Sequence, residues 1–188
     1  MTQTRCSWAN PANSLYLDYH DKEWGVPCHE ELRLFEMLNL EGAQAGLSWE
    51  TVLNKRENYR LAFDHWDAQK ISQYDEKKVE ALMQNAGIIR NRLKIQATIT
   101  NAKSYLMLCK EFGSLDSYLW AHVNRRPIVN TGERIITTEL SDQISKDLKK
   151  RGFKFVGSTI VYAYMQAIGM VNDHAHDCAF RFNAEKTK

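Results

Sequence analysis

The sequence predicts an all-α fold, and three observations carry this prediction. The 188 residues include only three prolines, so few positions interrupt a helix. Apolar residues recur three and four positions apart through most of the chain, which is the spacing of one helix face. Helix-capping residues precede several of these stretches. With 44% hydrophobic residues, the chain is predicted to fold as a single domain, residues 1–188, around a sizeable core.

Seven helices are predicted from this spacing. Their expected bounds are, in order, residues 29–40, 49–63, 76–86, 92–111, 115–123, 142–151 and 159–168. Ser48 and Asp75 precede the second and third helices, and Ser158 precedes the last, where each side chain can cap the first turn. Residues 124–141, NRRPIVNTGERIITTELS, lack helical spacing and are expected to form a long loop with some β-like character.

The sequence shows no membrane or export signal. No apolar run approaches the length of about 18 residues that a membrane span requires. The first residues, MTQTRCSWAN, contain no apolar segment typical of a secretory signal, so a cytoplasmic location is expected. In that compartment the four cysteines are more typical of free thiols or metal ligands than of disulfides.

The basic residues are unevenly distributed, although the net charge is only +2. Residues 86–110 hold five Lys or Arg and no acid, and residues 146–154, KDLKKRGFK, hold five against one. Two such blocks are typical of a protein that binds phosphates. Two solvated helix faces would produce the same distribution.

A carboxylate interrupts the apolar stripe of the first predicted helix. Leu34 and Leu38 lie on this stripe, and Glu41 and Ala45 take its next two positions. Five Trp and Tyr residues come from the first 50 residues: Trp8, Tyr16, Tyr19, Trp24 and Trp49. Aromatic rings beside a carboxylate can bind a flat cationic or electron-poor ring by stacking and hydrogen bonding. An ordinary aromatic core with a buried, ion-paired Glu41 would give the same pattern.

Cysteines and histidines near the two chain ends form a candidate metal site. Cys6 and His20 lie near one end, and His174 and Cys178 lie near the other, four residues apart, which is one helical turn. Two cysteines and two histidines complete a tetrahedral site with no open position, so zinc held there would be structural. Buried thiols and surface imidazoles are the alternative. Four further residues compete as ligands: Cys28, His29, Cys109 and His176.

A candidate phosphate-binding hairpin lies near the C-terminus. The stretch RGFKFVGSTIVYAYMQAIG, residues 151–169, is expected to form a helix end, a glycine-containing hairpin and a second helix. Backbone N–H groups and the positive end of the second helix can hold an anion such as a DNA phosphate. The expected DNA contacts in this hairpin are Lys154, Gly157, Ser158 and Thr159. Any corner between two helices can show a similar pattern.

Six segments of the chain carry a resemblance to a known family. They are RCSW (5–8), LYLDYHDKEWGVP (15–27), LFEMLNLEGAQAGLSWETVLNKRENY (34–59), AGIIRNRLKIQA (86–97), LKKRGFKFVGSTI (148–160) and GMVNDHAHDC (169–178). On these segments the chain resembles the DNA-3-methyladenine glycosylase I family over nearly its whole length. The resemblance implies a helix-hairpin-helix glycosylase fold, in which two helical lobes surround a base-binding cleft.

The resemblance also implies the lobes, a metal and the roles of site residues. One lobe would comprise residues 1–60 with 170–188, and the other residues 61–169. The two Cys and two His of the candidate metal site match the family's zinc ligands position by position, so a structural Zn²⁺ is expected. The resemblance assigns base contacts to Glu41, Tyr19 and Trp49, with further pocket wall from Tyr16, Trp24 and Trp8.

The expected function is the removal of 3-methyladenine from alkylated double-stranded DNA, with free 3-methyladenine as product. Gly46 and Leu47 would form a turn whose leucine fills the gap in the base stack, unless Leu47 instead packs between helices. Bifunctional members of the wider glycosylase superfamily carry a lysine in the hairpin segment, where this chain has Ser158 and Thr159. The nearest lysine is Lys154, so the resemblance indicates a monofunctional enzyme. The only nearby aspartate is Asp173, to which no acid–base role is assigned.

Two other functions fit parts of the same sequence. One is a non-catalytic helix-hairpin-helix DNA-binding module with a structural zinc. The other is a zinc-dependent hydrolase, which would need an open coordination position. A base-sized aromatic pocket argues against the first, and a closed Cys₂His₂ site argues against the second. The predicted glycosylase is expected to act as a monomer.

Overall fold

The computed structural model describes residues 3–130 and 134–181, and this part of the chain is mostly helical. The helices are α1 Ser14–Lys22, α2 Glu31–Ala43, α3 Trp49–Leu53, α4 Arg56–Ala62, α5 Ala68–Ile71, α6 Glu76–Gln84, α7 Arg92–Phe112, α8 Leu115–Ala121, α9 Glu139–Lys150 and α10 Ser158–Ala167. A 3₁₀ turn spans Asp64–Trp66. Two short parallel strands, β1 Ile128–Val129 and β2 Val171–Asn172, pair with each other. The predicted all-α class is therefore confirmed.

Two predicted elements differ from the observed ones. The single helix expected over 49–63 is two helices, because Asn54 and Lys55 turn the chain between α3 and α4. Helix α1 was not predicted, since its tyrosines and charged residues give no clear apolar stripe. The predicted loop 124–141 contains β1 and the start of α9, and its residues 131–133 lie outside the described residues.

The helix caps are only partly as predicted. The Ser48 side chain accepts a hydrogen bond from the Thr51 N–H at 3.2 Å, and Asp75 accepts one from a first-turn N–H of α6. The prediction for Ser158 is wrong. Gly157 occupies the cap position of α10, and the Ser158 hydroxyl instead bonds the Ser141 hydroxyl at 2.8 Å. Ser158 thus ties α10 to α9 within the hairpin motif.

Helix α2 lies in the centre of the core and contacts α7, α8 and α10. Every residue from Leu34 to Ala43 is buried, including the three polar residues Glu36, Asn39 and Glu41. Because α2 is surrounded on most sides, a polar side chain on it must find a partner or face a cavity. In the described chain, no helix is both long enough and apolar enough to span a membrane.

A buried amide pair fixes the hairpin against α2 and α7. Asn101 on α7 donates to the Asn39 side-chain oxygen at 3.0 Å. Its own side-chain oxygen accepts from the Lys154 backbone N–H at 2.7 Å, and its amide donates to the Lys154 carbonyl at 3.2 Å. A Cβ added to Gly42 would lie 3.1 Å from Phe155 Cβ. The missing side chain therefore lets the hairpin approach α2 beside Glu41.

Candidate functional site

A cavity of about 660 Å³ opens between the N-terminal segment, α2 and α10. Its volume lies within the range of about 300–1,000 Å³ that is typical of small-molecule sites. All six residues predicted to contact the base or to line its pocket do line this cavity: Trp8, Tyr16, Tyr19, Trp24, Glu41 and Trp49. Thr159, which was predicted as a DNA contact in the hairpin, also lines it.

Glu41 is buried in the cavity wall, where no described residue forms a hydrogen bond or an ion pair with its side chain. Its exposed fraction is 4%, and no donor among residues 3–130 and 134–181 hydrogen-bonds its carboxylate. Burial raises the pKa of Glu41 to about 8. An unpaired buried carboxylate destabilises a protein unless a ligand completes its hydrogen bonds or charge. The alternative of a buried ion pair at Glu41 is therefore excluded for the described residues.

The aromatic side chains form two contacting groups around this carboxylate. Tyr19 and Trp49 meet with ring centroids 5.1 Å apart, and Trp8 contacts Tyr16 at 5.4 Å and Trp24 at 4.8 Å. The Trp49 indole N–H is buried and has no acceptor among the described residues. Burial raises the pKa of Tyr19 well above its usual value, so its hydroxyl remains a proton donor. The rings thus provide stacking surfaces and two unused donors beside one unused acceptor.

Amide side chains lock the aromatic segment in place. Asn13 caps α1 and also donates to the Glu50 carboxylate at 2.8 Å, while Asn10 donates to the same oxygen at 2.9 Å. Since Glu50 follows Trp49, these bonds fix α1 relative to α3. Tyr19 on α1 and Trp49 on α3 are held together by this link.

Three of the four predicted metal ligands converge behind the aromatic wall. Ligand atoms of Cys6, His20 and Cys178 all lie within 4.8 Å of one another, and all three residues are buried. The Cys178 sulfur lies 3.6 Å from His20 Nε2, close to the roughly 3.5 Å that tetrahedral Zn–S and Zn–N bonds would produce. The Asp21 carboxylate lies 2.7 Å from His20 Nδ1, which directs Nε2 toward the sulfurs.

His174 lies beside this group rather than within it. Its ring centroid is 4.9 Å from that of His20, and its Nδ1 lies 2.8 Å from the Asn172 side-chain oxygen. When Nδ1 carries the ring proton, Nε2 is unprotonated, and no described residue donates a hydrogen bond to it. Burial lowers the pKa of His174 to about 4, so the ring is neutral, as a ligand must be. His174 and Cys178 follow β2 in turns, so the predicted helical turn between them is wrong.

The competing cysteines and histidines have other partners. Cys109 contacts Glu31, His29 contacts Asp116, and His176 is exposed. Cys28 is only partly buried and joins no ligand group in the described chain. The donor set of two thiols and two neutral imidazoles therefore fits zinc at the predicted position.

The predicted DNA contacts lie on two exposed turns near the cavity. Gly46, three residues after the end of α2, has φ +76°, and the following Leu47 is 42% exposed. In the hairpin, Gly152 has φ +94°, Lys154 is exposed and Gly157 has open space at its missing Cβ. The exposed fraction of Leu47 leaves its side chain accessible from solvent.

Comparisons with known proteins identify the family. The model of the methyladenine glycosylase family matches residues 8–182. The chain belongs to the methyladenine glycosylase family. DNA-3-methyladenine glycosylase 1 of Escherichia coli K12 is 51% identical over 178 residues, covering 93% of this chain and 95% of the relative. DNA-3-methyladenine glycosylase of Haemophilus influenzae is 49% identical over 179 residues, covering 93% and 96%.

Solved structures of this family share the fold. A 3-methyladenine DNA glycosylase I crystal structure superposes with TM-score 0.90 at 48% identity, covering 94% of this chain and 98% of that one. The Staphylococcus aureus enzyme, studied for 3-methyladenine recognition, superposes with TM-score 0.91 at 34% identity, covering 96% and 98%. The family membership and the glycosylase fold predicted from the sequence are confirmed.

Sequence reasoning assigned no role to Asp173 and missed the hydrogen-bonded group around it in this methyladenine glycosylase. Asp173 lines the cavity and accepts hydrogen bonds from Tyr162 and Gln166 at 2.6 Å and from Asn130 at 2.5 Å. Tyr162 and Gln166 are four residues apart on α10, so they lie on one helix face, which was the available signal. Asn130 comes from the loop after β1, and only the β1–β2 pairing brings it to Asp173.

Proposed function

We propose that this chain is a DNA-3-methyladenine glycosylase, which hydrolyses the N-glycosidic bond of 3-methyladenine in alkylated double-stranded DNA. The observation that carries the proposal is the buried, unpartnered Glu41 in a cavity walled by aromatic rings. Family membership and the relatives' names support the same activity. Release of free 3-methyladenine from alkylated duplex DNA tests it.

The chemistry of the lesion explains why this site suffices. Methylation at N3 gives the adenine a positive charge, so the base leaves without prior protonation. The enzyme therefore needs no strong general acid, but it must select the charged base and stabilise it. A base inside the duplex is out of reach, so it must be flipped into the cavity.

Each pocket side chain has a role suited to a cationic purine. Trp49 and the neighbouring rings stack on the base, a contact worth about 1–3 kcal/mol. Glu41 accepts hydrogen bonds from the purine edge, and Tyr19 bonds another edge position. Bringing a cation next to Glu41 favours its ionised form and opposes the effect of burial on its pKa. Tyr16, Trp24 and Trp8 complete the wall.

Water completes the reaction by attacking the sugar carbon. The described residues that line the cavity include no lysine, which supports a monofunctional enzyme without a Schiff-base step. The product is free 3-methyladenine and an abasic site. Asp173 faces the cavity, but its three donors already occupy its carboxylate, so no proton transfer is assigned to it.

The exposed turns would hold the duplex around the flipped base. The hairpin at Lys154, Gly157, Ser158 and Thr159 presents N–H groups and positive charge to backbone phosphates, which position DNA without reading its sequence. Leu47, preceded by Gly46, would enter the stack where the base has left. We expect affinity to be sensitive to salt and indifferent to sequence.

A structural zinc is part of this proposal. Cys6, His20, His174 and Cys178 would hold the ion, whose role is to join the N-terminal segment to the C-terminal turns and thereby support the aromatic wall. The fit rests on three converging ligand atoms and on His174 Nε2, whose neighbour at 3.4 Å is the His20 carbonyl oxygen rather than a hydrogen-bond donor. The predicted lobes, monomeric state and cytoplasmic location belong to the same proposal.

A non-catalytic DNA-binding module is the alternative function. It shares the hairpin and the metal ligands, but a phosphate binder requires no cavity with an unpartnered carboxylate. The base-release assay separates the two functions, because a binding module would retain alkylated DNA without releasing a base. A zinc hydrolase is disfavoured since all four ligands would come from the protein.

A further inference from the structure

Lys94 places its ammonium group at the C-terminal end of α2. Its Nζ donates hydrogen bonds to the carbonyl oxygens of Ala43 at 2.7 Å and Ala45 at 2.6 Å. A helix C-terminus carries partial negative charge, so a cation is stabilising there. In the described chain Lys94 has no carboxylate partner, and burial lowers the pKa of this residue. The two carbonyls are therefore its compensation for partial burial.

The segment that Lys94 holds connects the base pocket to the exposed leucine. After Glu41, the chain makes a turn in which the Leu47 N–H donates to the Gln44 carbonyl at 2.7 Å. Gly46 takes the left-handed conformation that this turn requires. Trp49 follows at the start of α3. The Lys94 ammonium group thus fixes the turn that carries Leu47. In the sequence this turn lies between Glu41 and Trp49, the two principal pocket residues.

Helix α7 links this turn to the hairpin. Asn91 caps α7 and accepts from the Lys94 N–H at 3.1 Å, which fixes the base of the lysine side chain. Asn101 lies seven residues beyond Lys94, two turns further on the same face, and holds the Lys154 backbone. A single helix face therefore sets the separation between Leu47 and the hairpin.

We propose that Lys94 is a positioning residue. It holds the Gly46–Leu47 turn in the position from which Leu47 enters the duplex as the base is flipped out. The proposal rests on the proposed function and adds a residue that touches neither base nor sugar. Its effect passes through Leu47, so it must vanish when Leu47 is shortened. It must also leave the empty pocket able to bind a free base.

The test uses Lys94→Met, which keeps side-chain length and removes the donor. Lys103→Met is the matched control, because Lys103 is exposed on α7 nine residues away, on the opposite helix face. Single-turnover release from duplex DNA is measured for both variants, for Leu47→Ala and for the Lys94→Met, Leu47→Ala double variant. Binding of free 3-methyladenine is followed by tryptophan fluorescence. Lys94→Gln, which retains a donor, serves if Lys94→Met does not fold.

We expect Lys94→Met to slow release about 10- to 100-fold, since a misplacement of about 1 Å can cost about a hundredfold. Free-base affinity, melting temperature and the Lys103→Met rate should match wild type, and the double variant should be no slower than Leu47→Ala. A wild-type rate for Lys94→Met, additive losses in the double variant, or lost free-base binding would overturn the inference. A wild-type enzyme that releases no base would instead overturn the proposed function.

Discussion

At the residue scale, Glu41 is a buried carboxylate whose position lowers the stability of the fold. Its position on α2 would suit a leucine, because every neighbouring position on the helix is buried. The carboxylate has no donor in the described chain, and burial raises its pKa to about 8. A polar residue retained at such a cost is typical of a functional site.

Substitution of the two central pocket residues should lower activity without unfolding the protein. Trp49→Ala removes a stacking surface worth about 1–3 kcal/mol, which corresponds to about 5- to 150-fold in release rate. Glu41→Gln and Glu41→Ala remove the anionic acceptor and should cost at least as much. Single-turnover release and circular dichroism provide the measurement. A Glu41→Ala enzyme with the wild-type rate would remove Glu41 from the mechanism.

The stability of the protein should depend on the ionisation of Glu41. Its pKa is about 8 in the folded chain and about 4.5 ordinarily, so the folded state retains the proton longer than the unfolded state does. Stability from this group is complete below about pH 4.5 and is lost as the pH rises to about 8. At roughly 1.4 kcal/mol per pKa unit, the loss reaches several kcal/mol.

Glu41→Gln cannot lose a proton and should escape this loss. We expect the melting temperature of the variant, relative to that of wild type, to be higher at pH 9 than at pH 5. Calorimetry at both pH values measures this difference. Glu139→Gln, an exposed carboxylate on α9, is the control and should show little change. An equal difference between variant and wild type at the two pH values would argue against the raised pKa.

At the element scale, the hairpin between α9 and α10 carries the expected phosphate contacts. Lys154→Gln should weaken binding to all DNA sequences alike and reduce the salt slope by about one per lost phosphate contact. Titrations at several salt concentrations measure this, with Lys103→Gln as a control on the far side of α7. Unchanged affinity and slope would exclude Lys154 from the interface.

The elements that were predicted correctly are those marked by local sequence signals, namely apolar spacing and capping residues. The spacing of Leu34, Leu38 and Glu41 continued one apolar stripe to the carboxylate, although the predicted helix ended at residue 40 and α2 extends to Ala43. Ser48 and Asp75 cap their helices as expected. Helix α1 was missed because its buried face consists of tyrosine and histidine rather than aliphatic residues. The break after Leu53 was missed since neither Pro nor Gly marks it.

Contacts between distant segments could not be predicted from spacing alone. The residues that form hydrogen bonds around Asp173 come from α10, from the end of β2 and from the loop after β1. No local sequence pattern indicates that these segments lie together. The Lys94 bonds to α2 likewise join residues about fifty positions apart. The six pocket residues, in contrast, lie within the first 50 positions of the chain, and the family resemblance assigned their contacts with the base.

At the scale of the whole molecule, the candidate zinc site joins the two ends of the chain. Cys6 and Cys178 are brought together behind the aromatic wall. If zinc is bound, chelation should lower the melting temperature by several degrees or more, and elemental analysis should find about one zinc per chain. Cys178→Ser should have a similar effect. A chelated protein with an unchanged melting temperature, or one that contains no zinc, would refute the site.

In the proposed function, the cavity, the hairpin and the Leu47 turn would face the DNA together, organised by α2, α7 and α10. The most direct test of this account is a single-turnover assay on alkylated duplex DNA with purified wild-type protein. The account predicts that free 3-methyladenine is released and that the abasic strand remains uncut. Binding of the alkylated duplex with no release of base would contradict it.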